Sequence, residues 1–225
     1  VELGCGGTLA LLARQGAKVG ILHLTRGEAG TRGTAEERRR EAEEAGRILG
    51  AATVEIMDCG DGGLRRGEPE ENELIERLRL ERPELILAPS PSDRHPDHGR
   101  AYRLVADCAY YAGLARRGAG EPHRPAAVFS YMQHDPFDPS FIVDVSATWE
   151  VKLAALAAYG SHLHQPGEDR AEPRTKVASP EFRQAVEGRA SHYGILVGAA
   201  YGEPFWSRLP LAVEDPLSLL PRGLR

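Results

Sequence analysis

The chain has 225 residues, 41% of them hydrophobic and 27% charged, with a formal net charge of −5. That length is enough for one domain with its own core, and residues 1–225 are read as a single domain. A nucleic-acid partner would need a basic stripe, and a membrane span would need roughly 20 consecutive apolar residues; the sequence has neither.

The first helix is expected over 7–15, after a turn made by Gly4, Gly6 and Gly7, with Gly16 as its stop. A mostly apolar strand over 18–24 (KVGILHL) follows and then a glycine-rich loop, TRGEAGTRG. Thr34 with Glu37 three residues on is a capping box, which predicts a helix from there to Leu49, stopped by Gly50. A short strand over 53–57, a loop DCGDGG and a helix over 71–81 come next. The apolar run ELILA over 84–88 reads as a buried strand and ends in the polar loop PSPSDRHPDHG. The pattern then predicts a helix over 99–113, strands over 127–132 and 141–145, and helices over 149–159 and 181–197, with a polar loop over 165–174.

Strand and helix alternate through the first 115 residues, which is the signature of a parallel sheet covered by helices. The expected fold is therefore α/β and Rossmann-like, with a mostly parallel sheet and helices on both faces. Such sheets bind ligands beyond the carboxyl ends of their strands. Three polar loops fall at those ends, and Asp58 and Asp61 in the second of them are placed near a site.

His95-Pro96-Asp97-His98 is the sharpest feature. Two imidazoles three residues apart, just past a buried strand, are donors suited to zinc, and a catalytic zinc usually takes three protein ligands. Taken alone, the tetrapeptide could equally be a polar loop whose histidines hydrogen-bond locally; its place at a strand end favours a site. The other histidines read as structural: His23 in the core, His134 and His192 as packing residues, and His162 and His164 not as ligands. Cys5, Cys59 and Cys108 form no CxxC pair and read as reduced thiols of a cytoplasmic protein. A nucleotide-binding Rossmann domain, with GCGG as the phosphate turn and NAD or NADP as ligand, is the alternative, but Leu9 stands where the third glycine should be.

The ordered set ELGCGGT (residues 2–8), LTRGEAGTRGT (24–34), DRHPDHGRA (93–101), HDPFDPSFIVDVS (134–146) and VGAAYGEPF (197–205) resembles the LmbE-like (PIG-L) deacetylases, and within them most closely the branch of bacillithiol biosynthesis. The resemblance implies a hydrolase of linear amides that removes the N-acetyl group of a GlcNAc conjugate. GlcNAc-malate is the expected substrate. It implies one zinc ion per subunit, with ferrous iron as the alternative, and a homo-oligomer, a hexamer by analogy. His98 is then a metal ligand, His95 the imidazole that stabilises the oxyanion and protonates the leaving amine, and Asp97 a residue that orients an imidazole. Arg38 is implied as a sugar-binding residue and Arg124 as a cation that reaches a site, of a neighbouring subunit. Arg26 and Glu28 are further substrate-binding candidates. The family's H-P-D-D-x-E motif supplies a His and an Asp as ligands and another Asp as general base. Here Val1 and Glu2 match only its last two positions, so the expectation is of a first strand and two ligands upstream of Val1, and of an inactive chain or non-catalytic relative without them.

Overall fold

The computed structural model describes residues 1–160 and 179–219. Their order is α1 (Glu2–Arg14), β1 (Gly20–His23), α2 (Ala35–Leu49), β2 (Thr53–Ile56), α3 (Glu68–Glu81), β3 (Leu85–Pro89), α4 (Pro96–Tyr111), β4 (Ala127–Tyr131), β5 (Phe141–Asp144), α5 (Trp149–Ala157), α6 (Pro180–Ile195) and β6 (Gly202–Ser207). The loop expected over 165–174, with His162 and His164 just before it, lies outside the described residues.

The fold is α/β, as the alternation predicts. β1 pairs parallel with β2, and β3 with β4. β6 then lies antiparallel between β4 and β5, giving the order β3-β4-β6-β5. Side chains alternate across these strands. Leu22, Ile86 and Val128 face a core of α3 and α4 residues such as Leu74, Ile75, Leu104 and Cys108. Ile21, Leu87 and Phe129 face the other way, onto Leu9 of α1, Leu49 of α2 and Ala155 of α5. Burial on both faces explains why the strands read as apolar runs. Among the described residues no helix is long and apolar enough to cross a membrane.

α2 forms where the capping box places it. Thr34 Oγ1 accepts the Glu37 N–H, the Glu37 carboxylate accepts the Thr34 N–H, and Gly50 closes the helix in the left-handed conformation. α1 departs from expectation. It begins at Glu2 and kinks at Cys5, so the glycines lie inside the helix and not in a turn before it. Their use is close packing: a Cβ on Gly4 would stand 2.2 Å from the Tyr131 ring, and one on Gly7 2.8 Å from Val145. GCGG is therefore no open phosphate turn, and the nucleotide-binding alternative loses its motif.

The same helix is fastened by a buried ion pair. The Glu203 carboxylate accepts the N–H groups of Gly7 and Thr8 and the Thr8 hydroxyl. Lys152 Nζ stands 2.5 Å from it and also donates to the Leu3 carbonyl. Both side chains are almost wholly buried, so removal of one partner would cost about 3–5 kcal/mol. The anchor fixes the entry to α1 against the start of β6, and that entry borders the site.

Candidate functional site

A cavity of about 540 Å³ opens where β1, β2, β3 and β4 end. Its wall includes Thr25, Arg26, Arg32 and Arg38 after β1, Asp61 and Gly62 after β2, His95 and His98 after β3, and His134 after β4. Glu2 and Leu3 at the start of α1, with Tyr159 after α5, close another side.

The HPDH segment is not a loop. His95 is the N-cap of α4, Pro96 opens the helix, and Asp97 and His98 lie in its first turn. Proline suits that position because its missing N–H would have no helical partner there. Asp97 near the helix N-terminus complements the helix dipole. His95 Nδ1 accepts the Asp97 backbone N–H at 3.3 Å. The Asp97 carboxylate points elsewhere: Oδ1 accepts the Leu64 N–H at 3.1 Å and an N–H of Arg100 at 2.8 Å. Asp97 thus meets the His95 imidazole through its amide, while one carboxylate oxygen braces Leu64 and Arg100. The reason is local, since a side chain in the first turn of α4 reaches back to the loop after β2.

The carboxylate beside the imidazoles is that of Asp93. Its Oδ1 accepts the His95 N–H at 3.0 Å, closing an Asx turn, and lies 3.1 Å from His98 Nδ1. Its Oδ2 accepts the His134 N–H at 3.1 Å. Asp93, His98 and His134 each bring a donor atom within 4.8 Å of the others. Two imidazoles and a carboxylate are a donor set that zinc or ferrous iron takes, and the residues fit such an ion. Burial lowers the His98 pKa, and burial lowers that of His134 to about 4, so both rings stay neutral at pH 7 with a lone pair to offer. Burial works to raise the Asp93 carboxyl, but the His95 N–H, the His98 ring and the His134 N–H together hold it below its ordinary value.

Asp93 and His134 were missed at the sequence level. His134 follows β4 as His95 follows β3, so the strand-end rule could have found it. Asp93 had one signal, an Asp two residues before a turn histidine. His23 also departs from a purely core reading. It lines the cavity, with Nε2 buried and no hydrogen-bond partner among the described residues, and burial lowers its pKa.

Arg38 reaches the wall because Gly30 leaves room for it: a Cβ there would fall 2.3 Å from a guanidinium nitrogen. One of its N–H groups donates to the Arg32 carbonyl at 3.0 Å. Arg26 lines the cavity and pairs with Asp58 at 3.3 Å. Glu28 is a brace and not a wall residue: it accepts the N–H groups of Arg26 and Asp61, clasping the loops after β1 and β2. Glu2 is buried on the wall and accepts the Tyr159 O–H at 2.9 Å. Arg124 is not brought to the cavity of its own chain. Its guanidinium lies 4.4 Å over the Tyr110 ring and donates to the Tyr110 carbonyl. The segment before it is pinned, with Arg79 donating to the carbonyls of Gly118, Ala119 and Gly120.

The PIG-L family model, described as GlcNAc-PI de-N-acetylase, matches residues 1–109. The chain is 30% identical over 217 residues to the diacetylchitobiose deacetylase of Thermococcus kodakarensis, covering 89% of this chain and 76% of that protein. It is also 30% identical over 177 residues to the 4-oxalmesaconate hydratase of Pseudomonas putida, covering 71% of this chain and 68% of that one. Among solved structures, the conserved protein TT1542 from Thermus thermophilus superposes with a TM-score of 0.85 at 39% identity, covering 96% of this chain and 92% of that chain.

Proposed function

Because the chain belongs to the PIG-L family, we propose that it hydrolyses the N-acetyl group of a GlcNAc conjugate, releasing acetate and the free amine. The observation that carries this reading is the meeting of His95, His98 and Arg38 on one cavity at the strand ends. Amide hydrolysis needs a polarised carbonyl, an activated water and a proton for the amine. His98 is assigned as a metal ligand, with the His134 ring stacked beside it and the Asp93 carboxylate next to both. Zinc is the expected ion and ferrous iron the alternative; a bound zinc lowers the pKa of its water and polarises a carbonyl.

The remaining roles belong to side chains of the protein. With Nδ1 accepting from the Asp97 amide, the His95 ring carries a proton on Nε2. That N–H hydrogen-bonds the forming oxyanion, and the proton taken from the attacking water by a carboxylate base goes on to the leaving amine. Arg38 offers a planar fork of donors to sugar hydroxyls. We assign GlcNAc-malate, the substrate of a bacillithiol pathway, as the natural conjugate. Arg26 and Arg38 are cations on the cavity wall that a dicarboxylate would meet.

Similarity to a hydratase supports a second reading. Hydration and amide hydrolysis both add water, so the same donor set would serve either, and recognition by the arginine wall separates them. The test uses protein expressed from its complete gene and loaded with zinc. It is offered GlcNAc-malate, N,N′-diacetylchitobiose and 4-oxalmesaconate in turn. Acetate and a free amine from GlcNAc-malate are expected. Amine release from diacetylchitobiose alone would keep the deacetylase and discard malate. Hydration without acetate, or no turnover of any of the three, would overturn the reading.

A further inference from the structure

Asp93 lies in the connection from β3 to α4, and its side chain has no solvent exposure. Its two oxygens accept the backbone amides of His95 and His134, and Oδ1 also lies 3.1 Å from the buried Nδ1 of His98, close enough to bias its protonation without an aligned hydrogen bond. The amides belong to different strand exits, 39 residues apart in sequence, and one carboxylate fastens them together. The three rings form one stack, with centroids 4.9 Å apart for His95 and His98 and 5.5 Å apart for His98 and His134.

The neighbours also assign the tautomers. An ionised carboxylate only accepts hydrogen bonds, so the buried Nδ1 of His98 beside it carries the proton, and Nε2 keeps its lone pair. Nδ1 of His95 receives an amide N–H, so its proton sits on Nε2. Two imidazoles three residues apart are thereby given opposite tautomers, one suited to bind and one to donate. Nothing on the His98 ring itself makes this choice; the side on which Asp93 stands does.

We propose that Asp93 is a positioning residue and not itself a metal ligand: it fixes the His98 tautomer and ties the His134 segment to the start of α4. Its oxygens are already engaged by N–H groups, and an ion bound directly to them would have to displace those contacts. A carboxylate behind a ligating imidazole also raises the basicity of the ring, and loss of such a partner typically lowers metal affinity about 10–100-fold.

The consequence for metal binding rests on the reading given under Proposed function, whereas the tautomer assignment does not. Asp93→Asn, which keeps the shape and removes the charge, separates the two in protein from the complete gene. Long-range nitrogen–proton correlations of the imidazoles, recorded without metal at pH 7.5, report the tautomer. The wild type is expected to show Nδ1–H for His98 and Nε2–H for His95, and the variant to lose the Nδ1–H form of His98. Competition with a chromophoric chelator then reports Zn²⁺ binding. One ion per chain should remain in Asp93→Asn, held about 10–100-fold more weakly.

An unchanged His98 tautomer in the variant would overturn the proposal. So would loss of the zinc stoichiometry with the tautomer intact, which would make Asp93 a ligand. If the wild type binds no zinc, the metal reading fails while the tautomer measurement still decides the role of Asp93. If Asp93→Asn does not fold, an Nε2–H form of His98 in the wild type is by itself enough to refute it.

Discussion

On the α4 side of the cavity, Asp93, His95, His98 and His134 are held by a buried carboxylate, a helix cap and stacked rings. On the β1 side, Arg26 is held by an exposed ion pair to Asp58, and Glu28 spans two loops through exposed hydrogen bonds. The first wall is fixed from within, around an Asp93 carboxylate that has no solvent exposure. The second is fixed by contacts worth little in water, about 0–1 kcal/mol for an exposed pair. A site that must hold reacting groups in place benefits from the former. A site that must fit the varied aglycone of a sugar conjugate tolerates the latter. Arg38 stands between the two regimes, half-buried on the wall yet rising from the exposed charged face of α2.

If the α4 wall carries the chemistry, His98→Ala in protein from the complete gene has the largest effect expected. It should abolish zinc retention and lower kcat/KM by about 10³-fold, the scale of losing a preorganised electrostatic element. Metal analysis and acetate release check it, and full activity in the variant would break the contrast between the walls. Arg38→Lys comes next. Charge is kept but the fork is lost, so KM should rise about tenfold to a hundredfold with kcat changed less, in line with losing a charged hydrogen bond. A fall in kcat alone would place Arg38 in the chemistry.

A smaller effect concerns pH. His23 ends β1 at the floor of the recognition wall, and burial holds its pKa below the ordinary value in the folded chain. The unfolded chain takes up that proton near pH 6.5, where the folded chain resists. Stability contributed by the neutral ring is therefore present above that pH and lost as pH falls toward the lowered value. Denaturant midpoints at pH 7.5 and 5.5 should differ less in His23→Phe than in the wild type. An equal drop in both would show that the ring is not buried neutral.

These contrasts also explain what the sequence made legible. α2 was readable to the residue because its signals, Thr34, Glu37 and Gly50, are local. The start of α1 was not, because three glycines look the same in a turn as in a helix pressed against Tyr131. β6 was not expected as a strand. Pro204 sits in its middle although β6 is a central strand, and both its ladders join distant segments. His95 and His98 announced themselves by spacing. The carboxylate that orders them did so only through a hydrogen bond to residue 134, 41 positions away. Arg38 could be chosen from the run EERRREAEE only by resemblance, since pattern alone makes every arginine there solvent-facing.

The smallest effect separates the chain's own cavity from a neighbour's. Arg124 rests on Tyr110 and touches nothing on either wall of its own cavity. An exposed guanidinium over a ring is worth about 0.5–1 kcal/mol, so Arg124→Ala should lower stability by no more than that. As a contact within one chain it should leave zinc affinity and kcat unchanged. We propose that the protein is a homo-oligomer in which Arg124 serves the cavity of a neighbouring subunit, as the family resemblance implies. In that case KM for GlcNAc-malate rises in Arg124→Ala. Mixing that variant with an inactive His98→Ala partner then restores activity, because mixed assemblies carry intact composite sites. Mixtures no more active than their parts, or an unchanged KM in the single variant, would return Arg124 to the surface and leave recognition to Arg26 and Arg38 of the same chain.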